Sequence, residues 1–288
     1  MNHKIKSYIL LMRLNSPIGS MLLLYPCLWG LISASSSIEE IRQNIFLFII
    51  FILGAFIMRS AGCVINDIFD RNIDIQVDRT KSRPLADKSI SLHESIVIFI
   101  TLSSIGLCIL LSLNTLSIKV GLLSFILLII YPLTKRITYW PQLFLALTFN
   151  IGVLIGYAAI TNILPFEIYF LYAAGIFWTL GYDTIYAYQD INDDISIGVK
   201  STAILFKDSA KYWISSFYIL MSSNLLIFGL LSSQEMIYFL LLILILSHQF
   251  FQIYKLDIKR PEVCLAIFKS NKYLGLLVCL VLLSNYIN

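Results

Sequence analysis

Apolar runs near the ~20 residues that cross a bilayer recur along the whole of this 288-residue chain, separated by short polar stretches. That recurrence constrains the fold more than any single motif does. Inside lipid every backbone polar group must be satisfied internally, so repeated runs of this length make a bundle of helices. Composition agrees: 58% of residues are hydrophobic and 13% charged, with a mean hydropathy of +0.83, whereas soluble domains carry roughly 25% charged residues. One soluble core cannot hide so much apolar surface. The sequence predicts an all-α polytopic membrane protein, a single transmembrane domain over residues 1–288.

The runs place nine transmembrane helices at about 16–35, 45–63, 93–112, 118–132, 141–161, 166–187, 212–232, 235–254 and 272–287. A shorter count would leave the fourth, closed by Tyr131-Pro132, only half inserted. Lys and Arg set the orientation. With the N-terminus inside, 19 of the 21 basic residues fall on inner loops and helix ends, Arg59 among them, and only Arg42 and Lys119 fall outside. The expectation is a bacterial cytoplasmic (inner) membrane with the N-terminus on the cytoplasmic side. Met-Asn-His-Lys-Ile-Lys runs into a helix carrying Arg13 and Pro17 without a small-residue cleavage site, which reads as a retained first helix. The five cysteines are scattered, and no basic run points to nucleic acid. His3, His93 and His248 lack metal spacing and take no role.

The acid is sorted by side. All eleven aspartates fall at the inner face, and most lie in two clusters. The first is Asn66-Asp67-Ile-Phe-Asp70-Arg71-Asn-Ile-Asp74 and the second runs from Asp183 through Tyr186, Gln189 and Asp190 to Asp193-Asp194. Positions 67, 70 and 74 are spaced i, i+3, i+7 and share one face of a continuing helix, as do 190 and 194. Asp67 to Asp183 and Asp74 to Asp190 are both offsets of 116 residues. Each cluster ends the second helix of a four-helix set, so the chain reads as two parallel four-helix pseudo-repeats plus a ninth helix, with the acidic faces meeting at the interface.

Crowded carboxylates at a membrane edge repel one another and resist desolvation, so they call for cations. Mg²⁺ suits them, because it prefers carboxylate oxygen and completes its shell with water and substrate phosphates. Two such sites would clamp a diphosphate as a leaving group. Downstream of the clusters lie Arg79, Lys81 and Arg83, then Lys135 and Arg136, then Lys200. These are either phosphate ligands or ordinary positive-inside charge. Arg13, entering an apolar helix, either snorkels or holds the carboxylate of an aromatic acid through a bidentate pair.

The two Asp motifs, with Arg13-x-x-x-Pro17-x-Gly19, Asp78-Arg79-Thr80-x-x-Arg83-Pro84-Leu85, Tyr131-Pro132-x-x-Lys135-Arg136 and Gly198-Val199-Lys200-Ser201-Thr202, resemble the UbiA superfamily of intramembrane prenyltransferases over almost the entire chain. Within it the likeness is greatest to members acting on 4-hydroxybenzoate in ubiquinone biosynthesis. The resemblance implies nine helices around a central cavity, a Mg²⁺ cofactor, a polyprenyl diphosphate donor, and alkylation of the ring carbon beside the acceptor's hydroxyl. It implies Asn66, Asp70, Asp74, Asp190 and Asp194, with Asp67 beside them, as the Mg²⁺–diphosphate set, and Arg13 and Asp183 facing the acceptor. Partners would be the two substrates and the bilayer, with no obligate protein partner. Asn15 departs from the family's usual Asp, and Ala146 and Tyr157 from its frequent Gly and Trp, which bears on the acceptor pocket. Other acceptors (homogentisate, a naphthoate, a porphyrin, a lipid head group) use the same chemistry. An ion-coupled transporter would instead place ionisable groups at several helix centres, and the expected helices carry none at theirs.

Overall fold

A computed structural model describes residues 3–286, so Met1, Asn2, Asn288 and Ile287, the last residue of the expected ninth helix, lie outside it. Among the described residues every regular element is a helix, and there are no strands. In chain order they form α1 (His3–Leu11), α2 (Ile18–Ala34), α3 (Ile38–Gln43), α4 (Ile45–Asp74), α5 (Leu92–Leu111), α6 (Thr115–Thr134), α7 (Pro141–Asn150) and α8 (Gly152–Thr161). There follow α9 (Ile168–Ala187), α10 (Ile191–Ile197), α11 (Thr202–Phe206), α12 (Ala210–Leu231), α13 (Met236–Lys255) and α14 (Pro261–Leu283).

Helices stand at each expected position, and seven are long and apolar enough to cross a membrane. The fourth segment, α6, is one of these and runs its full 20 residues. Two others fall outside that class. α2 is 17 residues long, and the aromatic-rich α9 carries Asp183.

Several boundaries differ from expectation for identifiable reasons. The first helix is two pieces: α1 ends at Leu11, and Arg13 sits in the turn at φ 56, a left-handed conformation costing a non-glycine residue about 1–2 kcal/mol. α4 continues past 63 to Asp74, which sets the first Asp cluster on one helix. Arg59, counted with the inner ends, stands midway along it. The fifth segment breaks at Ile151 into α7 and α8, where the buried Asn150 turns its side chain to Ala146 O at 2.8 Å and Thr179 Oγ1 at 2.7 Å. α14 starts at Pro261, its missing N–H tolerated in the first turn, so Lys269 and Lys272 lie on the helix.

The helices close a ring. α2 packs on α4, α8 and α14, α4 on α5, and α9 on α7, α12 and α14. Corresponding pairs repeat in the two halves, α2–α4 with α7–α9 and α4–α5 with α9–α12. In lipid such packing rests on close backbone approach rather than on expelling water. A Cβ at Gly30 would lie 2.1 Å from Val153 O, and one at Gly156 2.5 Å from Cys27 O, so glycine is required where α2 crosses α8. Where α2, α9 and α14 meet, Trp29 and Trp178 pack with centroids 5.1 Å apart and donate their indole N–H groups to Gly275 O and Asn271 Oδ1.

Candidate active site at the seam of the two halves

A cavity of about 190 Å³ opens at the inner ends of α4 and α9. Asn66, Asp70 and Asp74 reach it from α4, Asp183 and Tyr186 from α9, and Asp190 and Asp194 from the start of α10. The two acidic clusters therefore do meet. α9 stops at Ala187, so 190 and 194 do not extend it. Asp190 stands at the N-cap position of α10 instead, without a side-chain cap bond, and the Asp194 amide donates to Asp190 O at 2.8 Å, restoring the i, i+4 relation.

Cations thread between the carboxylates. Arg79 reaches across the seam, donating Nε–H to Asp190 Oδ1 at 2.7 Å and Oδ2 at 2.9 Å and Nη1–H to Tyr186 Oη at 3.1 Å. Burial works against its charge, yet Asp190 and Tyr186 hold its pKa above the ordinary value. Lys135 from the end of α6 binds Asp70 Oδ2, which also accepts from Asn66 Nδ2 at 2.9 Å. Arg83 donates to both oxygens of Asp74 at 3.0 Å and to Asp67 Oδ1 at 3.2 Å. Lys200 lines the cavity, with Nζ turned onto Ile137 O at 3.0 Å. Gln142 supports this wall, accepting the Thr202 amide at 3.0 Å.

Three expected site residues stand elsewhere. Asp67 is 1% exposed and paired with Arg13 and Arg83, away from the cavity. Arg13 spends its fork on both oxygens of Asp67, each at 2.9 Å, and on Leu10 O, so it does not present a free guanidinium to an acceptor. Lys81 pairs with its neighbour Asp78 in solvent, 60% exposed, because the two stand at i and i+3 of one turn.

The residue missed is Arg59. Its Nε is buried without a hydrogen-bond partner among the described residues, its guanidinium lies 5.5 Å from the Phe149 ring, and Asp183 and Tyr131 are within electrostatic reach. Gly19 leaves it room, since a Cβ there would come 2.5 Å from Nε. A lone charge inside an apolar span was the available signal.

Among the described residues no three carboxylates converge as a ready-made metal cage. The donor set nonetheless fits Mg²⁺. Asp70 Oδ1 is buried with no partner, facing a cavity that Asp194 and Asn66 also line. Burial, and then the neighbouring Asp190, push Asp194 up to about 6. Such a carboxyl gains a stabilised charge when a cation arrives.

A sequence model of the UbiA prenyltransferase family matches residues 23–277. The chain belongs to the UbiA prenyltransferase family. This UbiA-family chain is 45% identical over 277 residues to the mitochondrial 4-hydroxybenzoate polyprenyltransferase of Bos taurus and 44% identical to that of Homo sapiens, in each case covering 96% of this chain and 74% of the relative. Its fold is that of a UbiA homolog from Aeropyrum pernix K1 (TM-score 0.73, 21% identity, 93% of this chain and 96% of the other). It is also that of one from Archaeoglobus fulgidus bound to GPP and Mg²⁺ (TM-score 0.72, 18% identity, 96% and 99%). These relatives correct one expectation. The similar enzymes of Bos taurus, Homo sapiens and Caenorhabditis elegans are all named mitochondrial, which overturns the bacterial inner membrane and leaves the multi-pass membrane character.

Proposed function

We propose that this chain transfers a polyprenyl group from a polyprenyl diphosphate to the ring carbon ortho to the hydroxyl of 4-hydroxybenzoate, a step of ubiquinone biosynthesis. The observation that carries the reading is 42–45% identity, over nearly the whole chain, to relatives named for that acceptor. The cavity supports the donor end of it.

Asn66, Asp70, Asp74, Asp190 and Asp194 would hold Mg²⁺, a set favoured by the unpartnered Asp70 Oδ1 and by two A. fulgidus neighbours bound to Mg²⁺ with GPP and with DMAPP. When bound, Mg²⁺ would neutralise the departing diphosphate. Arg79, Lys135 and Lys200 would bind diphosphate oxygens from the same wall, and Arg83 would fix the Asp74 carboxylate. The allylic C–O bond breaks and its electron pair leaves with the diphosphate. The ring carbon then forms the new C–C bond, and its hydrogen leaves as a proton to Asp183, the carboxylate on the α9 wall to which no described residue donates a hydrogen bond. The apolar neighbours of Arg59 keep water from this step.

For the acceptor's carboxylate we assign Arg59 in place of Arg13. It is a buried cation with an unused N–H near Asp183, and a desolvated fork is the group that recognises a planar carboxylate. The test is product identity. Membranes holding the chain are given labelled prenyl diphosphates with 4-hydroxybenzoate, homogentisate or a naphthoate, with and without Mg²⁺. Prenylated 4-hydroxybenzoate only with metal is expected, and product on another acceptor alone would overturn the acceptor assignment.

A further inference from the structure

A lysine is costly inside a membrane span, and α14 carries two. The 26 residues from Pro261 to Tyr286 extend about 39 Å at about 1.5 Å per residue, roughly 9 Å more than the hydrocarbon they cross. Even with the whole excess placed at the Pro261 end, the backbone of Lys269 falls about 3 Å, and that of Lys272 about 7.5 Å, inside the hydrocarbon. Lys255, Lys259 and Arg260 differ, since they are exposed at the end of α13 and in the loop that follows it.

The two lysines face lipid. One side of α14 is packed, with Ile267, Asn271, Leu274 and Val278 all buried, while the opposite stripe of Tyr273, Leu276 and Leu280 is 46–55% exposed. Lys269 precedes Tyr273 by four residues and Leu276 by seven, so it stands on the open stripe, and it is exposed. Lys272, one turn further and half-buried, edges the same stripe, and its Nζ lies 4.8 Å from the Tyr273 ring. Among the described residues neither lysine forms an ion pair, and the one carboxylate of α14, Glu262, is taken by Arg260. Two like charges one turn apart repel, so this face is short of an anion.

We propose that Lys269 and Lys272 together bind the phosphate of an anionic phospholipid from the leaflet on the cavity side, with its acyl chains along Leu276 and Leu280. The occupant follows from where the charges sit. Their stems reach back along the helix toward the head-group level, and the amphipathic Tyr273 ring beside them suits that level. An anion approaching this face arrives from the lipid, and a zwitterionic head group would bring a cation of its own against the pair. The bound lipid would brace a helix that matters to the cavity. Phe268, next to Lys269, packs its ring 4.4 Å from that of Tyr186 in the cavity wall. The inference stands apart from the prenyl-transfer reading, because it concerns a lipid's head group and is read in stability.

The test is thermal unfolding of the full chain in neutral detergent with added phosphatidylglycerol or phosphatidylcholine. Phosphatidylglycerol should raise Tm by roughly 5 °C, and phosphatidylcholine by less than half as much. The double substitution Lys269→Gln, Lys272→Gln should lose most of that difference. Lys255→Gln with Lys259→Gln removes the same charge from the helix end and loop and should keep it. Without lipid the first variant should melt no lower than the parent, since it relieves a like-charge pair, and this is the folding control. Whatever the variants' own stability, phosphatidylglycerol bearing a diazirine in its head group should cross-link to residues 269–276 of the parent. An equal loss in both double variants would mean general attraction to a basic surface, and an equal gain from inorganic phosphate would mean a soluble anion. Either result, or head-group cross-links that avoid α14, would overturn the proposal.

Discussion

Arg79 and Asp190, 111 residues apart, form a two-pronged ion pair across the seam of the two halves, Nε at 2.7 and 2.9 Å from the carboxylate oxygens. One half supplies the cation and the other the carboxylate, so the halves are held in register by the groups that line their shared cavity. Beside this pair the Asp78 amide donates to Asp193 Oδ2 at 3.3 Å. On the proposed reading, a substrate diphosphate entering here would compete with Asp190 for Arg79, and a metal ion would compensate the carboxylate it releases.

The acceptor assignment separates two arginines. Arg59→Lys should raise the KM for 4-hydroxybenzoate by on the order of tenfold to a hundredfold with little change in the donor's KM, because Lys keeps the charge and loses the fork. Arg13→Lys should leave the ratio of the two KM values unchanged, since its guanidinium is bound to Asp67. Steady-state kinetics with a phenol lacking the carboxylate as control decide it. A selective acceptor defect in Arg13→Lys alone would restore Arg13 to the pocket.

Asp67 is structural by this account. Asp67→Asn leaves Arg13 and Arg83 without their shared counter-charge in a site 1% exposed, and should destabilise the protein by about 3–5 kcal/mol. Thermal unfolding in detergent measures it. Unchanged stability with lost Mg²⁺ dependence would make Asp67 a ligand after all.

Much of the site was legible in the sequence because its spacing is helical. Asp70 and Asp74 share a face of α4, and the offset of 116 residues to the second cluster reflects two halves packed alike. What stayed hidden was partnership. Nothing in the spacing distinguishes Arg13, used up on Asp67 54 residues away, from Arg59, which has no such partner among the described residues. Lys81 looks like a phosphate ligand until its turn puts it on Asp78. The break at Ile151 depends on Asn150 meeting Thr179 of another helix, a tertiary contact that local pattern does not encode.

Helix crossing gives a stability prediction. Gly30→Ala should sharply reduce folded protein, because its methyl meets the rigid Val153 carbonyl at 2.1 Å, whereas Gly54→Ala should be tolerated. Size-exclusion yield and thermal stability in detergent report the difference. Equal behaviour of the two would contradict the α2–α8 geometry.

Metal binding should weaken in acid. Asp194 is held at about 6 against an ordinary 3.8, so in the metal-free fold protons compete below about 6. The sign follows from linkage. This carboxyl contributes most to metal-free stability below 3.8 and loses that contribution as pH rises through about 6, where burial and Asp190 outweigh the pull of Lys135 and Arg79 on the ionised form. Stabilisation by Mg²⁺ should therefore grow as pH rises through about 6, and Asp194→Asn should flatten that rise. Thermal shift against pH, with and without metal, checks both.

If one site is built from both halves, losing a carboxylate from either half should cost turnover. Prenyl transfer to 4-hydroxybenzoate is measured under saturating Mg²⁺ for the parent, Asp70→Asn, Asp190→Asn and, as control, Asp208→Asn, which lies outside the cavity. Each of the first two variants should lose on the order of a hundredfold or more in kcat/KM, and the control should match the parent. Near-normal turnover with either Asp70→Asn or Asp190→Asn would mean that one half suffices, and would contradict the shared site.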